Sequence, residues 1–335
     1  MIGRSPKLIG LGSFILMCGA VGIASAQSGG SEGDALPLTV PKAVCGSEDN
    51  PETGLQGQVP AALRASGFKG FNCNLKLIGQ SRNDGGNWQS TEFKERRQPV
   101  RDDGSYRDED KPFHVCGYYG SQSPSLSPKT RNPATYGTRV IDVTNATHPH
   151  LTGYLQTSSM LDPWESLKVN ERRQLLAADQ ATNGSGGPGV DVYDLSQDCR
   201  SPQLLASIAV GTGTDGGPVA PVTPIGHEGA FAPDGLTYYI GDTTNKSYHA
   251  VDLTDPTKPK HITTFDMKTL GLAAHGLSVS NDGNRLYAVT PGIPASAANL
   301  TNPNVAPNNG FVIFDTSEVQ ARLPNPQIKV VSEFL

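Results

Sequence analysis

From Gly137 onward, short apolar runs alternate with polar turns, and one pattern returns four times. Val140-Ile141-Asp142-Val143-Thr144, Val192-Tyr193-Asp194-Leu195-Ser196, Ala250-Val251-Asp252-Leu253-Thr254 and Ile313-Phe314-Asp315-Thr316-Ser317 are versions of one strand end. Their aspartates stand 52, 58 and 63 residues apart. A proline follows each, at Pro149, Pro202, Pro256 and Pro324, and then a further strand: 151–155, 203–210, 261–265 and 328–335. A period of this size filled with short strands predicts a propeller or a related radial array.

The last two copies carry a longer signature. His227 and His275 each precede a short alternating strand, an Asp-Gly turn (Asp234-Gly235, Asp282-Gly283) and a second strand containing Tyr239 or Tyr287. Each repeat therefore reads as four short strands. The recurring Asp at the end of strand three is placed to accept backbone N–H bonds in the next turn, helped by the Ser or Thr two residues on. That role is structural and needs no ligand.

Upstream the signal weakens. Residues 27–72 are rich in Gly, Pro, Ser and acidic side chains and read as an irregular extension with one helical turn at 60–65. Strand signals begin at Cys73–Gly79, where Leu75 and Leu77 share a face, and resume at His114–Tyr119 after a polar stretch. The 73–79 strand has no blade of its own, and the last repeat already owns an outer strand at its end. The expectation is about four blades over 73–335 plus one orphan strand, in an incomplete ring of a chain cut short.

The first 26 residues have the form of a secretory signal: Arg4 and Lys7, an apolar run from Leu8 to Ala20, and Ala24-Ser25-Ala26 before Gln27. The mature chain is then exported, to the periplasm or beyond the cell, with no membrane span left. Removing the signal takes Arg4 and Lys7 and leaves 25 Lys and Arg against 32 Asp and Glu. That balance argues against nucleic acid as a partner. Cys45, Cys73, Cys116 and Cys199 remain, an even number suited to disulfides in an oxidising compartment, with three pairings open.

The hydrophobic-Ile/Val-Asp-Val-Ser/Thr signature with its following proline resembles the LVIVD repeat of exported bacterial β-propeller proteins, over residues 73–335. The resemblance implies an all-β propeller of four-stranded antiparallel blades and an exported location. It implies no particular activity. The chain departs from it in length, since those proteins are usually longer and have more blades.

In such a blade, the entry to strand one and the connection from strand two to strand three lie on one side of the disc. His227 and His275 precede strand one, and aligning Pro163-Trp164-Glu165 on the same strand puts Trp164 in the histidine position. Strand one is innermost, so Trp164, Glu165, His227, Glu228 and His275 are expected at the mouth of the central channel. Loops at 182–189, 211–226 and 291–310 fall on that face, and loops on a rigid scaffold are where binding resides. Neutral imidazole and carboxylate are ligands for a divalent transition metal, which makes His227 and His275 candidates. The competing reading has each histidine capping its own blade.

Other motifs fail. Gly211-Thr-Gly-Thr-Asp-Gly216 leads into Gly-Pro-Val-Ala-Pro rather than a helix. Neither G-x-S-x-G nor H-E-x-x-H occurs. The expectation is a binding or interaction scaffold whose unknown ligand or protein partner meets the loop-rich face. The alternative is a metal-dependent hydrolase or oxidase with His227 and His275 as ligands and Glu228 or Glu165 as ligand or general base.

Overall fold

The computed structural model describes residues 43–52, 54, 58–68, 70–81, 89–97, 101, 105, 111–120, 137–179, 189–208, 226–243, 245–290 and 310–334. The predicted signal peptide and most of the three channel-face loops lie outside these residues. Two compact units divide between Lys76 and Leu77. In the first, the predicted helical turn is present as α1 (Ala61–Ala65). Cys45 and Cys73 form a disulfide there, and Asn72 Nδ2 donates to Asp49 at 2.5 Å.

The strand predicted at Cys73–Gly79 does not form. Leu75, Leu77 and Ile78 are all exposed, so their alternation never met a neighbouring strand to pair with. The polar segment after it supplies the strand instead. Blade 1 is β1 (Ser90–Glu95), β2 (His114–Tyr119), β3 (Thr138–Asp142) and β4 (His150–Leu155). With β1 in place, blade 1 is complete, and no orphan strand is left over among the described residues.

Blade 2 is β5 (Lys168–Asn170), β6 (Leu175–Asp179), β7 (Val190–Asp194) and β8 (Gln203–Ile208). Blade 3 is β9 (Gly226–Phe231), β10 (Thr237–Asp242), β11 (Ser247–Asp252) and β12 (Lys260–Asp266). Blade 4 is β13 (Leu277–Val279), β14 (Arg285–Thr290), β15 (Gly310–Asp315) and β16 (Lys329–Phe334). In every sheet the strands are hydrogen-bonded in chain order and antiparallel, so the chain is a β-propeller of four-stranded blades. The first strands touch in sequence, β1 with β5, β5 with β9 and β9 with β13. Among the described residues no comparable contact joins β13 to β1.

The repeated Asp acts as the sequence predicted. Asp142, Asp194, Asp252 and Asp315 each accept the backbone N–H two residues on, at 2.8–2.9 Å. Just before each one the register with strand four slips, between Val140 and Ile141, Val192 and Tyr193, Ala250 and Val251, and Ile313 and Phe314. A bulge at this point bends the strand and adds twist, while the Asp closes the turn that follows.

Three cores lie between the blades. Phe93, Cys116, Tyr118 and Val140 of blade 1 meet Leu167, Leu176 and Leu195 of blade 2. Leu175, Val190 and Val192 meet Tyr238, Ile240 and Val251, and Tyr239, Tyr248 and Ala250 meet Leu286, Val312 and Phe314. Strands β6 and β10, covered on both faces, are buried at every residue, whereas β2 alternates.

A covalent tie reinforces the first joint: Cys116 on β2 is bonded to Cys199 beyond β7, 83 residues away and fully buried. Closing so long a loop restricts the unfolded chain. The Cys116→Ala/Cys199→Ala variant is expected to lose ~2–5 kcal/mol in urea denaturation. A loss below about 0.5 kcal/mol would mean that apolar contact alone holds blades 1 and 2.

Candidate functional site

The innermost edges of blades 2, 3 and 4 bring their side chains to one place. Glu165 and Glu228 form a short parallel bridge, and the Glu165 N–H donates to the His227 carbonyl at 3.1 Å. Trp164 meets His227 edge-on, with ring centroids 4.6 Å apart at 71°. The His275 ring lies 4.0 Å from His227, tilted by 40°. Trp164 holds a left-handed φ of 43°, a conformation that costs a bulky residue energy and that clusters at functional sites.

Glu165, His227 and His275 each offer a ligand atom, and these atoms lie within 4.8 Å of one another. His227 Nδ1 is 3.3 Å from Glu165 Oε2. The two are not aligned for a hydrogen bond, and buried Nδ1 has no hydrogen-bond partner among the described residues. Burial, followed by the nearby His275, pulls the His227 pKa down to about 4, against a smaller upward pull from Glu228. The imidazole is therefore neutral at physiological pH.

Glu228 does something else. Its Oε2 accepts the Leu277 N–H at 3.0 Å, and its Oε1 lies 3.4 Å from Lys168 Nζ. It clamps the start of β13 to β9 and ties both to blade 2. Tyr248 completes the clamp: its hydroxyl donates to the Gly276 carbonyl at 3.0 Å and accepts the His275 N–H at 3.2 Å. The sequence ranked the two glutamates equally, and the structure leaves only Glu165 in the histidine cluster.

Beneath the cluster sits a carboxyl group that the sequence reading missed. Asp179, the last residue of β6, is fully buried, and neither of its oxygens accepts a hydrogen bond among the described residues. The Tyr238 hydroxyl is beside it, but its single proton goes to the Ser166 carbonyl at 2.5 Å. Desolvation, with Asp242 next in size, pushes the Asp179 pKa well above the carboxylate range. As a neutral acid it can donate to the Tyr238 oxygen. Its only advance signal was an Asp ending the apolar run Leu-Leu-Ala-Ala.

The four candidate cysteines pair as Cys45–Cys73 and Cys116–Cys199. No family model and no curated protein matches the chain. Among solved structures it is similar to a putative 6-phosphogluconolactonase from Bacteroides uniformis (15% identity, TM-score 0.41, 66% of this chain and 54% of that one). It is also similar to the periplasmic gluconolactonase of Pseudomonas aeruginosa (17%, 0.41, 66% and 53%). A third is a β-propeller domain from Myceliophteria thermophila (10%, 0.40, 66% and 55%). The chain spans about half the length of these proteins, and nothing about ligand or reaction follows from the likeness.

Two pH responses follow from the buried groups. A carboxyl whose folded pKa is raised costs stability once pH exceeds its unfolded value. Asp179→Asn is therefore expected to stabilise the protein by about 1–3 kcal/mol at pH 8 and by little at pH 4. Equal destabilisation at both would show that the carboxyl has a partner. For His227 the depressed pKa gives stability that is present above pH 6.5 and lost as pH falls towards about 4. With 14% of its side chain exposed, protonating the group costs at most about 3 kcal/mol at low pH. Denaturation midpoints between pH 7 and 4 should fall less steeply in His227→Ala than in the wild type.

Proposed function

We propose that the chain is an exported ligand-binding propeller scaffold whose working surface is the mouth formed by the starts of β5, β9 and β13. The observation that carries this reading is the convergence of Glu165, His227 and His275 from three blades at one half-buried point. No single blade needs that meeting in order to fold. The strained backbone of Trp164 and the unpartnered Nδ1 of His227 support it, because proteins give up stability at the surfaces they use. The two disulfides fit an oxidising compartment, and so support export. The LVIVD resemblance of the repeats fits both.

A second reading, a metal-dependent enzyme, has one observation in its favour: Glu165 joins the two histidines as a third ligand. The binding role is the better supported, because it needs only the meeting of these three side chains.

A binding surface and a structural cap differ in what removal costs. In metal-free buffer, His227→Ala and His275→Ala are each expected to change folding stability by no more than about 1 kcal/mol. Tyr238→Ala, cut from the core between blades 2 and 3, should cost ~3–5 kcal/mol. Histidine variants as costly as the tyrosine variant would make the cluster a structural cap and end this reading.

A further inference from the structure

We propose that Glu165, His227 and His275 form a site for a divalent transition-metal ion, with one ligand from each of three successive blades. The inference rests on the reading of the channel mouth as the working surface.

Geometry is the first support. Around a tetrahedral ion bound at about 2.0–2.2 Å, neighbouring donor atoms stand roughly 3.3–3.5 Å apart. His227 Nδ1 and Glu165 Oε2 are already at 3.3 Å, and Glu165, His227 and His275 each offer one donor atom such that the three lie within 4.8 Å of one another. The misaligned pair is the second support. A ring nitrogen and a carboxylate oxygen this close, with no hydrogen bond between them, are placed to share a cation.

The backbone behind the ligands is held. Glu228 and Tyr248 fix the segment from His275 to Leu277 through the His275 and Leu277 N–H groups, and the Glu165 N–H fixes β9 at the His227 carbonyl. Such supporting bonds are what orient ligands in built metal sites. Two imidazoles and one carboxylate favour zinc, copper, cobalt, nickel or iron over calcium and magnesium, which prefer all-oxygen sites. Three protein ligands leave a position for water or an exogenous donor. His227 and Glu165 retain 14% and 28% side-chain exposure, so that position is reachable from solvent. Another cluster with metal-ligating residues, Glu95, His114 and Asp198, serves as a control. There Glu95 already accepts the Cys199 N–H at 3.1 Å, and Asp198 is paired with Arg200 at 2.9 Å.

The untagged, exported full chain, stripped with a chelator, would be titrated with Zn²⁺ and with Co²⁺, whose d–d absorption reports histidine ligation. One equivalent per chain is expected. His227→Ala, His275→Ala and Glu165→Gln should each weaken binding ~100-fold or more, beyond what loss of a supporting group costs, while Glu95→Gln leaves it unchanged. In the wild type alone, Zn²⁺ should protect His227 and His275 from diethylpyrocarbonate, read by mass spectrometry. This second measurement decides the matter even if a variant fails to fold. Failure of both ions to bind stoichiometrically, or full binding in the double histidine variant, overturns the metal site. The binding-surface reading would survive that result if the histidine variants keep their stability, so the two failures are distinguishable.

Discussion

Burial of one blade's face against the next is the interaction on which this structure depends. A four-stranded sheet has two faces and covers neither by itself. Strand β10 makes the consequence visible. Tyr238 points into the core shared with blade 2 and Tyr239 into the core shared with blade 4, so adjacent residues of one strand serve different joints. At roughly 25 cal/mol per Å² of apolar surface, a pair of fully buried tyrosines outweighs any single polar contact in the sheet. The inner blades therefore cannot alternate in polarity, and β6 and β10 read as continuous buried runs.

Close stacking has a steric condition, met at two glycines on β9. A Cβ on Gly229 would stand 1.9 Å from the Tyr238 hydroxyl, and one on Gly226 would stand 1.5 Å from an Asp179 oxygen. Bare backbone here lets β9 sit against blade 2, which brings His227 level with Glu165. The site geometry is thus a consequence of inter-blade packing and not of local loop structure. It also explains why a carboxyl such as Asp179 is stranded: the approach of β9 that builds the mouth shuts water away from the end of β6.

What was legible in the sequence was what recurs. The Asp with its Ser or Thr two residues on, the Asp-Gly turns and the histidines seven residues before the turn Asp repeat at matching offsets, and repetition separates them from chance; His227 proves to lie inside β9 rather than before it, whereas His275 does precede β13. The turn glycines Gly235 and Gly283 do take positive φ, 70° and 75°. Strand β1 was hidden because Ser90, Glu92 and Lys94 are polar and Phe93 is its one large apolar residue; a half-covered innermost strand needs no more. The opposite error arose at Cys73–Gly79, where alternation was present but the hydrogen-bonding neighbour that turns alternation into a strand was not. Asp179 was unreadable because its environment is made by Gly226 and Tyr238, residues 47 and 59 positions away.

The two glutamates at the mouth show where sequence reasoning stops. Glu165 and Glu228 occupy facing positions of the same bridge and differ in no property visible from composition or spacing. Parallel pairing of the two segments nevertheless offers them different neighbours. Glu228 has Lys168 on one side and the N–H of Leu277 on the other, so its carboxylate is used by the fold. Glu165 lies one blade earlier, where the corresponding neighbour is the His227 ring. The same side chain is a structural clamp at one joint and available for a ligand at the next, because the blade beside it presents a backbone donor in one case and an imidazole in the other. In a radial array, function can therefore arise from a single departure in an otherwise repeated contact.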